Sequence, residues 1–268
     1  MNTVFVGGGN MATALVGGML QQGASKTDLQ VIDVSASARE RFQAMGISAR
    51  EQWDPQNRAE VVVFAVKPQQ MKKAVFGVRQ HCSSTLVVSI AAGIRCVDLS
   101  RWLEGHNRIV RVMPNTPALI GAGVSGLYAT AGVNEADRQT VETILAGSGK
   151  RVWFDREALL DAVTAVSGSG PGYVFYFIEA LEEAAVRLGL DARAARLLAV
   201  ETFLGASKLA DGSEDKPAEL RAKVTSKGGT TESAIALMES REIKAGIIAA
   251  VLQAEQRAAE LGELFGKD

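Results

Sequence analysis

Cysteine and histidine are scarce in this chain, with two of each among 268 residues. Cys82 and Cys96 stand at no metal or redox spacing, and each lies in apolar sequence where a small buried thiol is at home. His81 and His106 fall in connecting segments without an acid–base partner close by, which argues against histidine catalysis. Surplus charge is missing too: 29 basic and 30 acidic residues leave a net charge of −1, and no positive field to hold nucleic acid or anionic lipid. Long hydrophobic runs are lacking, since the most apolar stretches, 61–66 and 245–252, fall well short of the roughly 20 residues needed to span a bilayer. No basic leader precedes the first apolar run, Val4-Phe5-Val6. The expectation is a cytoplasmic protein that binds a small molecule, with neither nucleic acid nor membrane as partner.

The remaining composition, 47% hydrophobic and 22% charged, is ordinary and gives enough chain for two cores. The pattern changes once, near residue 155. Before it, β-branched runs alternate with helical patterns: 3–6, 29–34, 61–66, 86–90, 108–113, 123–128 and 151–154 read as strands. Alternation of this kind means βαβ units and a mostly parallel sheet. After Asp155 the strand signal stops, and Ala-, Leu-, Glu- and Arg-rich segments at 171–189, 192–210 and 243–261 read as helices. In the last of these, Ile247, Val251, Ala254, Ala258 and Leu261 step by 4, 3, 4 and 3 onto one face, a stripe for a core or an interface. The polar stretch 211–217 reads as a connection. Two domains follow, an α/β domain over 1–155 and an all-helical one over 156–268.

The strongest chemical signal opens the chain. Strand Val4-Phe5-Val6 runs into Gly7-Gly8-Gly9-Asn10-Met11-Ala12 and then a helical pattern, which fits G-x-G-x-x-A. Gly7 permits a tight turn, Gly9 lets the backbone approach a pyrophosphate, and Ala12 allows close packing of helix on strand. Which dinucleotide binds stays open. Asp33 ends the second strand where a ribose-binding acid sits, or else serves as a cap or turn residue; Ser35, Arg39 and Arg41 just beyond it suit a 2′-phosphate.

In an open α/β sheet ligands sit beyond the carboxyl ends of the strands. Lys67-Pro68 and Ala91-Ala92-Gly93 follow two such strands, where the small residues allow close approach of a nicotinamide and Lys67 is a cofactor ligand or a surface charge. Pro114-Asn115-Thr116-Pro117 follows a third; its amide suits the nicotinamide carboxamide, or closes a turn. In the helical half, Ser167-Gly168-Ser169-Gly170-Pro171 reads as the start of a helix. Farther on, Gly228-Gly229 leads Thr230-Thr231-Glu232 into another, with exposed N–H groups fit for a carboxylate.

As a set, residues 7–12, 65–68, 89–93, 113–117, 167–171 and 228–231, six blocks spanning nearly the whole chain, resemble pyrroline-5-carboxylate reductase. The resemblance implies a Rossmann-type doubly wound sheet followed by an all-helical dimerisation domain, NAD(P)H-dependent reduction to L-proline, and a homodimer or an oligomer of dimers. It implies NADP(H) as preferred cofactor with NAD(H) possible. It assigns Gly7, Gly8, Gly9, Asn10 and Met11 to the coenzyme turn, Ser35 to the 2′-phosphate, and Val66, Lys67, Pro68, Ala91, Ala92 and Asn115 to the cofactor cleft. The amides of Gly229, Thr230 and Thr231, with Ser226, fall to the substrate carboxylate, and the Thr231 hydroxyl to the ring nitrogen as the catalytic group. It further implies that the helical domains interlock and bring the substrate loop of one subunit to the cleft of the other. Lys227 stands where that family commonly has proline, and Asp33 where an uncharged residue is common. A β-hydroxyacid dehydrogenase shares the two-domain plan but needs a catalytic lysine in the joining helix, and no lysine occurs between Lys150 and Lys208. A coenzyme-sensing regulator that has lost its substrate site is countered by the intact block 228–231.

Overall fold

The structure, a computed structural model, describes residues 1–267. Its strands are β1 (Thr3–Val6), β2 (Leu29–Ile32), β3 (Ser48–Arg50), β4 (Val61–Phe64), β5 (Leu86–Ser89), β6 (Ile109–Met113), β7 (Gly123–Ala129) and β8 (Gly149–Trp153). They form one sheet in the order β3-β2-β1-β4-β5-β6-β7-β8. Every neighbouring pair is parallel except β6 with β7. The strands β1, β2, β4 and β5 are buried along their whole length, because helices cover both faces of a parallel sheet.

The helices of this part are α1 (Asn10–Gln21), α2 (Ala36–Ala44), α3 (Pro68–Val78), α4 (Cys96–Trp102), α5 (Glu135–Leu145) and α6 (Leu159–Val163). On one face Phe5, Val31 and Val63 pack with Leu15 and Val16 of α1, Phe42 of α2 and Val141 of α5. On the other, Val4, Val62 and Val87 pack with Met71 and Val75 of α3 and with Leu99 and Trp102 of α4. Strand order reverses where β1 lies between β2 and β4, which opens a crevice at their carboxyl ends.

The sequence reading extends β2, β4 and β5 to residues 34, 66 and 90, whereas the strands end at Ile32, Phe64 and Ser89. The residues in between leave the sheet at the crevice. β3 is absent from the sequence reading because three residues with only Ala49 buried carry no usable period.

The chain divides into two compact units, one of residues Met1–Ser169 together with the chain from Ala254 onward, the other Gly170–Gln253. The sequence sets the change at 155/156, where strands stop. The first unit reaches further because Leu160 and Asp161 of α6 are buried, Asp161 against Arg111 of β6. It also recovers the end of the last helix, where Phe265 packs on the second core cluster.

The second unit is helical, with α7 (Gly170–Arg187), α8 (Ala192–Asp211), α9 (Pro217–Lys223), α10 (Thr230–Ser240) and the start of α11 (Ile243–Gly266). Asp191 caps α8 by accepting from Arg193 N and Ala194 N. Phe177 stacks on Phe203, and Ala195 and Ala199 are buried. Much apolar surface stays open in this unit, including Phe175 at 65% and Leu188 at 85% exposure. Along the α11 stripe Ala258 is buried and Ile247 is exposed, so the stripe serves as core at one end only.

One ion pair, between a partly exposed arginine and a buried aspartate, makes stability depend on pH. Asn134 and Asp137 form a capping box at the start of α5, and Arg108 donates to both oxygens of Asp137, at 2.9 and 2.5 Å. The hydrogen bonds from Arg108 hold the Asp137 carboxyl below the usual carboxylate range. A depressed folded-state value contributes stability above the unfolded value, and that stability is lost as pH falls through the folded one. Acidification below the ordinary aspartate range should therefore destabilise the chain, and Asp137→Asn should lower stability at neutral pH while flattening the acid limb. Urea midpoints across a pH series check this; equal acid slopes in the two proteins would remove Asp137 from the effect.

Candidate active site

β1 ends at Val6 and the chain turns at Gly7 with φ +103, a conformation suited to glycine alone. The Gly7 N–H donates to the Ile32 carbonyl at 2.8 Å, and a Cβ there would stand 2.6 Å from the Ala65 carbonyl oxygen. Gly8 is buried under Phe42, whose ring lies 3.0 Å from where a Cβ would be. Gly9 caps α1 with no side chain of its own, and no heavy atom comes within 4 Å of the space a Cβ would take. The first N–H groups of α1, with Asn10 exposed and Met11 half-buried, thus face an open cradle at the positive end of a 12-residue helix. Ala12 is fully buried against the sheet. This geometry fits the pyrophosphate of a dinucleotide.

Of its two sequence readings, Asp33 takes up the turn role. Its Oδ2 accepts from Gly8 N at 2.6 Å and its Oδ1 from Ser35 N at 2.7 Å, so it fixes the turn and also places a carboxylate beside the glycines. Ser35 is the N-cap of α2, accepting from Ala38 N at 3.4 Å and pairing with the Ser37 hydroxyl at 3.0 Å. Arg39 donates to the Asp33 and Val34 carbonyls, and Arg41 to the Gly8 carbonyl at 2.8 Å.

The loops after β4 and β5 lie along the same edge. Half-buried Val66 leads to Lys67, the exposed N-cap of α3, and to Pro68 at its first position, where a missing N–H costs nothing. Ala91 is buried and Ala92 half-buried. Gly93 has a different task from the one its neighbours suggest: with φ +78, its open side receives α11, whose Gly262 N lies 3.2 Å from where a Cβ would sit. Its smallness serves a crossing of two backbones.

Asn115 is buried, and its amide is largely engaged within the fold. Its Oδ1 accepts from Val124 N at 3.0 Å and its Nδ2 donates to the Ser167 carbonyl at 3.2 Å, leaving one amide hydrogen for a ligand. Nor is the 167–171 block a plain helix start. Residues Thr164–Gly168 form a π-helical turn directly after α6, closed by Ser169 N to the Thr164 carbonyl at 2.8 Å. Pro171 has no N–H to give the Ser167 carbonyl four residues back, and Asn115 supplies the missing donor.

In the helical unit, Gly228 turns with φ +76 and Gly229 caps α10. The expectation that the Gly229 amide is open for a carboxylate needs correction, since it donates to the Ser226 carbonyl at 3.0 Å and closes the turn. Glu232, which sequence reasoning gave no role, accepts from Gly228 N at 2.6 Å; an acid in the first turn of a helix is the signal for it. The Thr230 and Thr231 N–H groups stand at the first two positions of α10, where a helix has no carbonyl to offer them. Ser226 is exposed and Thr231 half-buried.

The histidines and thiols are structural. His81 stacks flat on Trp53 at 4.6 Å, and burial pushes His106 down, toward the neutral form. Burial pushes the Cys82 thiol up to about 12 and raises Cys96 further, leaving both unreactive at neutral pH.

A family model described as pyrroline-5-carboxylate reductase dimerisation matches residues 157–261, and one described as NADP oxidoreductase, coenzyme F420-dependent, matches 2–93. A pyrroline-5-carboxylate reductase of Pseudomonas aeruginosa is 42% identical over 98% of this chain and 97% of its own. The chain belongs to the pyrroline-5-carboxylate reductase family. The solved reductase of Coxiella burnetii superposes with a TM-score of 0.88 at 38% identity, covering 97% of this chain and 98% of that one. The Plasmodium falciparum pyrroline carboxylate reductase, solved with NADP bound, gives 0.87 at 28% identity over 98% of both chains. The stretch matched by the reductase dimerisation model contains the Ser226–Thr231 turn, and the other matched stretch contains the Gly7–Ala12 cradle.

Proposed function

We propose that this chain catalyses the NAD(P)H-dependent reduction of 1-pyrroline-5-carboxylate to L-proline, the last step of proline biosynthesis, with NADP(H) preferred and NAD(H) accepted. The observation that carries the reading is the open glycine cradle of Gly7–Ala12 at the switch point of a parallel sheet, in a chain related to these reductases along 98% of its length.

When bound, the reduced nicotinamide supplies a hydride. The chain's own residues bind and orient. Gly7, Gly8 and Gly9 with the Asn10 and Met11 amides take the pyrophosphate, Ser35 the 2′-phosphate, and Val66, Lys67, Pro68, Ala91 and Ala92 border the cleft. Asn115 shapes that border by pinning the Pro114–Pro117 loop to the π-helical turn. The Thr230 and Thr231 amides with the Ser226 hydroxyl take the substrate carboxylate, and the Thr231 hydroxyl bonds the ring nitrogen. A protonated imine carries its own activating charge, so positioning outweighs acid strength, which suits a site whose titratable histidines lie elsewhere.

The exposed apolar faces of the helical unit, with Tyr176 and Leu209 each at 71%, exceed what a monomer keeps in water, and they support a homodimer. Two subunits then share each site, the cleft coming from one and the 226–231 turn from the other. No helix among the described residues is long and apolar enough to cross a membrane, and we assign the protein to the cytoplasm.

Thr231→Ala tests the assignment. Losing one hydrogen bond to the reacting ring should cost about 1–3 kcal/mol of transition-state stabilisation. Turnover of pyrroline-5-carboxylate should fall accordingly while the dissociation constant for NADPH stays put. Unchanged turnover, or an equal loss of coenzyme affinity, would take Thr231 out of the mechanism.

A further inference from the structure

We propose that Gly262, near the end of the last helix, is a positioning residue for the reaction, one that sets the Ala91–Gly93 loop at the nicotinamide end of the cleft. The inference rests on the reading of that loop as a cofactor border. α11 begins in the helical unit and ends in the first, so its last turns and the loop after β5 belong to one compact body. There two backbones cross with no side chain between them. A Cβ on Gly262 would stand 2.9 Å from the Gly93 carbonyl oxygen and 3.3 Å from Arg95 Nε, and a Cβ on Gly93 would stand 3.2 Å from Gly262 N.

Both partners of the crossing are held. The loop is pinned on either side of it, by Ile90 N donating to the Phe64 carbonyl at 3.1 Å, by Cys96 N donating to Glu157 at 2.7 Å, and by Arg95 Nη2 at 3.4 Å from Asp161 Oδ2. Ala91 and Ile94 are buried, so the core fills the space beneath. α11 is held in turn, since Arg101 Nη2 donates to the Gly266 carbonyl at 2.5 Å and Phe265 packs on the second core cluster. A methyl group at 262 therefore has two outlets in a close-packed interior: it displaces the Gly93 carbonyl and with it half-buried Ala92, or it lifts α11 off the loop. Either way the border loses its set position. Hydride transfer is sensitive to this, because a misplacement of about 1 Å costs up to about a hundredfold in rate. Alanine is otherwise the better helix former, so the helix itself gives no reason for glycine at 262.

The test compares the two halves of the coenzyme. Dissociation constants for NADPH and for adenosine 2′,5′-bisphosphate, which lacks the nicotinamide, are measured on the full chain for the wild type, Gly262→Ala and Asp137→Asn, together with kcat for pyrroline-5-carboxylate and the thermal midpoint. Gly262→Ala should lower kcat about tenfold and narrow the margin by which NADPH outbinds its adenosine half, whose own affinity stays put. Asp137→Asn, which lowers stability at α5, should keep both kcat and that margin, and so separates a displaced loop from a weaker fold. If Gly262→Ala yields no folded protein, Arg101→Met takes its place: it unties the Gly266 carbonyl, adds nothing to the crossing, and should lower kcat and the margin in the same direction by less. Wild-type kcat and margin in the substituted chain, a parallel loss of both affinities, or an equal loss of kcat in Asp137→Asn would overturn the proposal. A wild type that binds NADPH yet reduces no pyrroline-5-carboxylate would sink the functional reading alone, because the two affinities still report on the loop.

Discussion

Arg111→Ala should lower the free energy of unfolding by about 3–5 kcal/mol, because it strips the cation from a buried charge cluster. Arg111 lies on β6 with 1% of its side chain exposed, 3.2 Å from Glu157 Oε1 and 3.4 Å from Asp161 Oδ1. Removing it leaves two carboxylates inside the fold. Arg95 still reaches Asp161 at 3.4 Å, and Cys96 N still donates to Glu157 at 2.7 Å, so the loss should fall at the lower end of that range. Adding Glu157→Gln and Asp161→Asn to Arg111→Met should recover part of it, since no unpaired carboxylate then stays in the cluster and the one cation that loses its partner, Arg95, reaches solvent with 31% of its side chain. Urea midpoints at one fixed protomer concentration measure both, as oligomer stability depends on concentration. A loss under about 1 kcal/mol would mean that water reaches the cluster.

The glycine turn separates two effects that a single substitution would merge. Gly7→Ala forces an alanine to φ +103 and drives its Cβ to within 2.6 Å of the Ala65 carbonyl oxygen. The backbone cost alone is about 1–3 kcal/mol, and coenzyme affinity should drop on the order of a hundredfold as the turn shifts. Gly9→Ala meets no protein atom within 4 Å and sits at ordinary backbone angles, so the fold should hold. Its methyl group enters the space assigned to the pyrophosphate, and coenzyme affinity should fall without a change in thermal midpoint. If Gly9→Ala binds NADPH as the wild type does, the cradle has been placed wrongly.

What could be read from the sequence was whatever rests on period and on local turn chemistry. Runs such as Val61-Val62-Val63-Phe64 announce buried parallel strands, and Gly7-Gly8-Gly9 after a strand announces a phosphate turn, because each feature is contained in neighbouring residues. Features that depend on distant partners stayed hidden. Gly93 reads as part of the cofactor border until Gly262, far along the chain, is found against it. Asn115 stayed open between ligand and turn because its partners, Val124 and Ser167, are set by tertiary packing. The π-helical turn left one trace, a proline at 171 that orphans the Ser167 carbonyl, and that trace also fits an ordinary helix start. Of the substrate turn, Gly228 and Thr231 could be marked from sequence, whereas the use of the Gly229 amide by Ser226 could not.

The most direct measurement is oxidation of NADPH by the purified chain, followed by absorbance with and without pyrroline-5-carboxylate, with L-proline quantified in the same samples. Oxidation should depend on the imine, with one L-proline formed for each NADPH consumed and a slower reaction with NADH. Coenzyme oxidation without L-proline, or none when pyrroline-5-carboxylate is added to a folded protein that binds NADPH, would contradict the proposed activity.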